Sequence, residues 1–361
     1  MKSVVLMKVV AASVLLALAG GVAMAQSGNG SSSEFNPYAP ASGHDYRHGA
    51  IPTRPVQELM HRYAASRHHG GSSKTLSYGG GTSGVGVMDS HVKVYIVYYG
   101  SQWGTQSLNA NGDDVFSNDS YGAAAVAEEM FKGIGTGSEL WSADLTQWCD
   151  GPYAVKGATS CPSNANFVPY QTGGVLAGVF YDNAAAAPSA PTATDLANEA
   201  IKAAAHFGNT AQGSNRYTYY IVMSPHGTDP DNYQSPTQGY CAWHNYTTSS
   251  YGDIAFSNQP YNMDLGASCG VDFVNAAPGG NLDGWTMTLG HEWHETMSDT
   301  YPAGGWTNPT NGQENSDECA WIPAGQPGGA ADVTMGTGTF TEQASWSNDT
   351  NSCAITHAIL H

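Results

Sequence analysis

The stretch Thr288-Leu289-Gly290-His291-Glu292-Trp293-His294-Glu295-Thr296-Met297-Ser298-Asp299 carries more ligand and acid–base chemistry than any other window of the chain. Read as a helix, it sets His291, Glu295 and Asp299 at i, i+4 and i+8, on one face. Glu292 projects beside that face, one position along. A cation-activated water flanked by a carboxylate base needs this arrangement, and the pattern H-E-x-x-H meets the need with two histidines. Here the second ligand position is Glu295, so the string reads H-E-x-x-E. His294 stands one residue too early to be the second histidine, although at i+3 it points roughly the same way.

A zinc site with three protein ligands needs one more group. The best downstream candidates lie in Gly312-Gln313-Glu314-Asn315-Ser316-Asp317-Glu318-Cys319. Glu314 follows Glu295 by 19 residues, loosely like a thermolysin-type site, in which a later glutamate completes the set. Asp317 reads either as a ligand or as the acceptor that orients His291, and Asp299 is a further candidate. The bland alternative is that these acids decorate an exposed loop and a polar helix face salt-bridged to its neighbours. Cations for that are scarce: from His91 onward only Lys93, Lys132, Lys156, Lys202 and Arg216 stand against 26 acids. Burying His291, Glu292 and Glu295 unpaired would be costly. A metal ion is the economical partner, with Zn²⁺ ahead of Ca²⁺ or Mn²⁺ because an imidazole is present.

Two more histidines join Glu292 as catalytic candidates. His226 sits in the loop Ser224-Pro225-His226-Gly227-Thr228 after a predicted strand, where site residues often lie. His244 lies in Cys241-Ala242-Trp243-His244. Either could stabilise an oxyanion, or simply hydrogen-bond a backbone group. A serine nucleophile finds no support, since no G-x-S-x-G occurs. A carboxylate pair for glycoside hydrolysis, Glu292 with Asp299 or Glu314, stays open.

Outside the motif, Val92 to Tyr99, Gly174 to Tyr181 and Arg216 to Met223 read as strands, rich in β-branched and aromatic residues. Ser120 to Lys132 and Thr192 to Phe207 read as helices, and Gly284 to Ser298 as the motif helix. Gly338 to Gln343 is a late strand. The pattern predicts a single α/β domain over 91–361 with a mixed sheet, a zincin-like helix and a loop-rich C-terminal third. Residues 1–25 read as a secretory signal: Lys2 and Lys8, an apolar run from Val9 to Ala19, then Ala23-Met24-Ala25 as cleavage site. Residues 26–90 read as a Gly/Ser-rich leader, not a core. It is either a tether or a prosegment whose Arg47, Arg54, Arg62, Arg67 and Lys74 cover an acidic site.

The formal charge is −18, and loss of Lys2 and Lys8 with the signal takes it to −20. So acidic a surface repels nucleic acid and anionic membranes. A secreted, extracellular monomer is expected, acting on extracellular protein or peptide. Six cysteines in an exported chain favour three disulfides. Neighbourhood suggests Cys149–Cys161, Cys241–Cys269 and Cys319–Cys353 among the 15 pairings that six cysteines allow.

The run Val94-Tyr95-Ile96-Val97-Tyr98-Tyr99-Gly100-Ser101-Gln102-Trp103-Gly104 resembles the opening strand of bacterial secreted proteins related to the plant phosphate-induced protein 1, or EXORDIUM, family. The resemblance continues through Gly290 to Glu295, through Glu314 to Trp321, and through Trp346-Ser347-Asn348 to Cys353. It implies an extracellular protein whose C-terminal motifs share one site or scaffold, with no settled reaction. The leading expectation is a secreted zinc endopeptidase with Glu292 as base. A non-catalytic cell-wall-type binding protein with a structural cation, and a carboxylate-pair glycosidase, are the alternatives.

Overall fold

Alternating side chains on two apolar strands decide how the layers stack. The computed structural model describes residues 49–67 and 73–361, all of which fall in one compact unit. The signal reading over 1–25 and leader residues 26–48 and 68–72 lie outside the described residues.

Six strands form the main sheet: β1 (Ala50–Pro52), β2 (Lys93–Tyr99), β3 (Leu176–Asp182), β4 (Thr218–Met223), β5 (Tyr240–Ser249) and β6 (Gly252–Gln259). Their spatial order is β1-β5-β6-β4-β2-β3. β6, β4, β2 and β3 run parallel, while β5 pairs antiparallel with both β6 and β1. The sheet is mixed, as expected. Strands buried on both faces read as continuous apolar runs, and β2 and β4 are of this kind. Tyr95, Val97, Tyr220 and Val222 face one layer, where helix α3 (Ala193–His206) packs Leu196, Ala200, Ala203 and Ala204 against them. Val94, Ile96, Tyr98, Tyr219 and Ile221 face the other, with α2 (Ala123–Gly133) and α4 (Asp283–Ser298).

Local chemistry sets the helix ends. Thr192 caps α3: its hydroxyl accepts the Asp195 N–H, and the Asp195 carboxylate accepts the Thr192 N–H, the reciprocal box that satisfies orphan donors. At the start of α4, Gly284 lies so close to the Cys269 carbonyl that a Cβ would meet it at 1.7 Å. At its end, Asp299 accepts the N–H groups of Ala303 and Gly305 and closes the turn.

Three observations bear on the sequence reading. All three disulfides pair as neighbourhood suggested. After Ser298 the chain makes only short strands, turns and one 3₁₀ turn. The leader is not wholly outside the core: Ala50, Ile51, Val56, Leu76, Val87 and Met88 are fully buried. A composition rich in Gly, Ser and Pro concealed them, because they come from short, separated apolar runs. α1 (Arg54–Arg67) follows β1 and lies largely exposed.

Candidate metal centre

Every residue of α4 is buried, so its ionisable side chains must find partners inside the protein. His291 Nε2 lies 3.0 Å from Glu295 Oε1 and 3.6 Å from Asp317 Oδ1. The first contact lacks hydrogen-bond geometry: His291 Nε2 and Nδ1 make no hydrogen bond among the described residues. Glu295 Oε1 is steadied instead by the Asp317 N–H at 3.0 Å, and Asp317 Oδ2 accepts the Glu314 N–H at 3.1 Å. The acidic loop is thus folded back on the helix by its own backbone donors.

β5 brings the remaining histidine. Trp243 points to the α3 layer, so its pleat neighbours Ala242 and His244 point toward α4. His244 Nε2 sits 2.9 Å from Glu314 Oε2 and 3.8 Å from Glu295 Oε2. Two trios with ligand atoms within 4.8 Å of one another result: His291, Glu295 and Asp317, and His244, Glu292 and Glu295. Ligand bonds of ~2.0–2.2 Å span such separations. The donor set, two imidazoles with several carboxylates, suits a divalent transition cation. Glu295 Oε2, Glu314 Oε1 and both oxygens of Glu292 close no hydrogen bond among the described residues, which such an ion would remedy. The residues fit a metal.

Electrostatics agree. Burial opposes charge on His291, yet Glu295, Asp317 and Glu292 around it raise its pKa well above the ordinary value. Burial lifts Glu292 and Glu314 well above the carboxylate range, each with neighbouring acids adding to the rise. Burial and then Asp317 push Glu295 up to about 7. Without a cation, the cluster holds protons it would otherwise release.

Glu292, Glu295, Asp317, Glu314, His291 and His244 therefore converge. Glu314 meets His244 and not the His291 trio, where Asp317 takes the third place. Asp299 stands behind Glu314 and serves the turn after α4. His226 does not join: its Nδ1 is 2.5 Å from Asp264 Oδ1, with the ring largely exposed. His294 turns away from His291. Its Nδ1 meets Ser345 Oγ at 2.8 Å and its ring packs on Trp141 at 4.2 Å. Burial, then His291, lowers it to about 3, so it stays neutral. The sequence reading passed over Tyr219, whose buried phenol is raised by burial and by the nearby Glu292 carboxyl. Its place in the alternation of β4 was the available signal.

The centre is roofed by the strand β1. Gly49 lies against His244 and Glu314, where a Cβ would come within 2.2 Å of His244 Cδ2 and 2.3 Å of Glu314 Oε2. The backbone N–H of Ile51 faces Glu292. Among the described residues the cover is backbone and not basic side chains: Arg54 reaches the Ala267 carbonyl and Arg62 pairs with Glu58, while Lys74 sits 3.6 Å from Glu318. No protein-family model, curated protein or solved structure matches this chain, so a functional reading rests on this geometry.

Proposed function

We propose that the chain is a secreted metal-dependent hydrolase, most simply a zinc endopeptidase acting on extracellular protein. The observation that carries the reading is the buried His291, Glu295 and Asp317 trio, in which both His291 ring nitrogens and Glu295 Oε2 close no hydrogen bond among the described residues. A divalent cation held there would supply Lewis acidity and acidify a water. Glu292, adjacent on α4, is the group to accept that proton and return it to the leaving amine. The Tyr219 hydroxyl is a donor for charge developing on the substrate oxygen. Three disulfides support export, and no helix among the described residues is long and apolar enough to cross a membrane.

One observation favours a second reading. His291, Glu292, Glu295 and Glu314 are at most 1 % exposed, and closed sites are those of structural cations. A non-catalytic extracellular protein would use the ion to hold the acidic loop on α4. Metal analysis and casein hydrolysis on wild type, Glu292→Gln and Glu295→Gln separate the two. The hydrolase reading expects Glu292→Gln to keep its metal and lose ~10²–10⁴ in rate, and Glu295→Gln to lose both. A chain that binds zinc yet hydrolyses nothing, before or after removal of residues up to 67, would move the assignment to the structural ion.

A further inference from the structure

The roof over the centre is itself an extended peptide. Ala50 and Ile51 pair antiparallel with Trp243 and Ala242 on β5, and the register breaks at Pro52. On one side the Pro52 carbonyl accepts the Trp321 indole N–H at 2.7 Å, and the Thr53 N–H donates to the Gly239 carbonyl at 3.0 Å. On the other, Gly49 touches the His244 and Glu314 pair. Ile51 fills an apolar recess made by Cys241, Cys269, Met287 and Trp321. An edge strand offers this kind of ladder to any extended chain, with backbone bonds giving affinity and pockets giving selectivity.

We propose that Gly49–Pro52 occupies the groove in which an extended polypeptide binds, so that the intact chain keeps its own centre closed. The occupant defines the ligand: a strand running antiparallel to β5, with glycine over His244 and Glu314 and a branched apolar residue two positions on. Glycine is required there for two reasons. Its φ of +60° disfavours other residues, and no Cβ fits beside His244. The hydrolytic consequence rests on the function proposed above, whereas the binding groove does not.

The test begins with the full chain carrying a site-specific protease sequence after Arg67, cut once folded and freed of the released fragment. A fluorescent peptide with the sequence Arg47 to Arg54 reports binding, and casein with added Zn²⁺ reports hydrolysis. The intact chain should bind no peptide and leave casein whole; the cut chain should bind the peptide and cleave casein, with the peptide inhibiting hydrolysis competitively. A peptide with Gly49→Val should bind at least ~10-fold more weakly, the effect of overpacking a tight contact. Peptide binding without hydrolysis would keep the groove and sink the endopeptidase. A cut chain that stays folded but ignores the peptide would overturn the proposal. So would one that unfolds when the fragment leaves, because β1 would then be a structural strand.

Discussion

Glu342 is a carboxyl with no partner where one is expected. Both its oxygens are buried and close no hydrogen bond among the described residues. It lies so close to Gly290 that a Cβ on the helix would fall 2.2 Å from Oε2. Burial, with Glu139 adding to it, raises its pKa well above the ordinary range, so it is held as the neutral acid. An unsatisfied buried polar group costs ~1–3 kcal/mol. Glu342→Met, similar in length and apolar, should therefore raise stability by that order, read as a higher urea midpoint at neutral pH. No gain would mean that the acid has a partner in solution. The same scale shows what the motif could reveal. The side-by-side placement of His291, Glu292 and Glu295 follows from helical spacing alone. The direction of His294 does not, because Trp141 and Ser345, which hold it, come from distant parts of the chain. Nor could spacing pair His244 with Glu314, since that contact is made by sheet pleat and loop folding.

At the scale of elements, α3 was legible because its Thr192 cap, the Gly208 stop and apolar spacing agree along contiguous residues, and α4 because its ligand residues recur at helical spacing ahead of Pro302. The hairpin of β5 and β6 was passed over, although Tyr240 to Tyr246 is rich in aromatic residues and Ser249 to Gly252 is turn-like. β1 was illegible: three residues make a strand only because β5 offers an edge. The helices also carry a pH signature. Burial, then Asp114, pushes Glu128 on α2 up to about 7; burial, then Asp182, pushes Glu199 on α3 up to about 7. Both sit near 4.5 when unfolded, so between these values the folded chain holds protons that the unfolded chain releases. Stability contributed by each falls as pH rises through that window and stays lost above it. Glu199→Gln, which cannot ionise, should gain on wild type between about pH 5 and pH 8, by about 1 kcal/mol after discounting for solvent screening. Urea melts at both pH values check it, and an equal pH dependence in the two proteins would refute the assignment.

For the whole molecule, the disulfides divide the labour of holding a fold from that of holding a site. Cys241–Cys269 ties β5, which carries His244, to the segment that leads into α4. Cys319–Cys353 ties the end of the acidic loop to the C-terminal strand pair, whose Trp346 N–H donates to the Asn315 carbonyl at 2.8 Å. Cys149–Cys161 closes a loop that supplies no member of the centre. Their sequence separations are 12, 28 and 34 residues, so chain entropy gives each a similar stabilisation, about 3–4 kcal/mol. Paired Cys→Ala replacement should thus lower the urea midpoint comparably in all three cases. Metal affinity should respond differently. Loss of the Cys241 or the Cys319 bridge frees one wall of the centre and should weaken Zn²⁺ binding by ~10-fold or more, since positioning groups around ligands matter on that scale. Loss of the Cys149 bridge should leave affinity unchanged while the chain stays folded. Zinc titration against a competing chelator, run below each variant's unfolding transition, gives the comparison. Equal weakening in all three variants would mean that the centre senses only global stability, and that the two bridges flanking it have no special hold on its geometry.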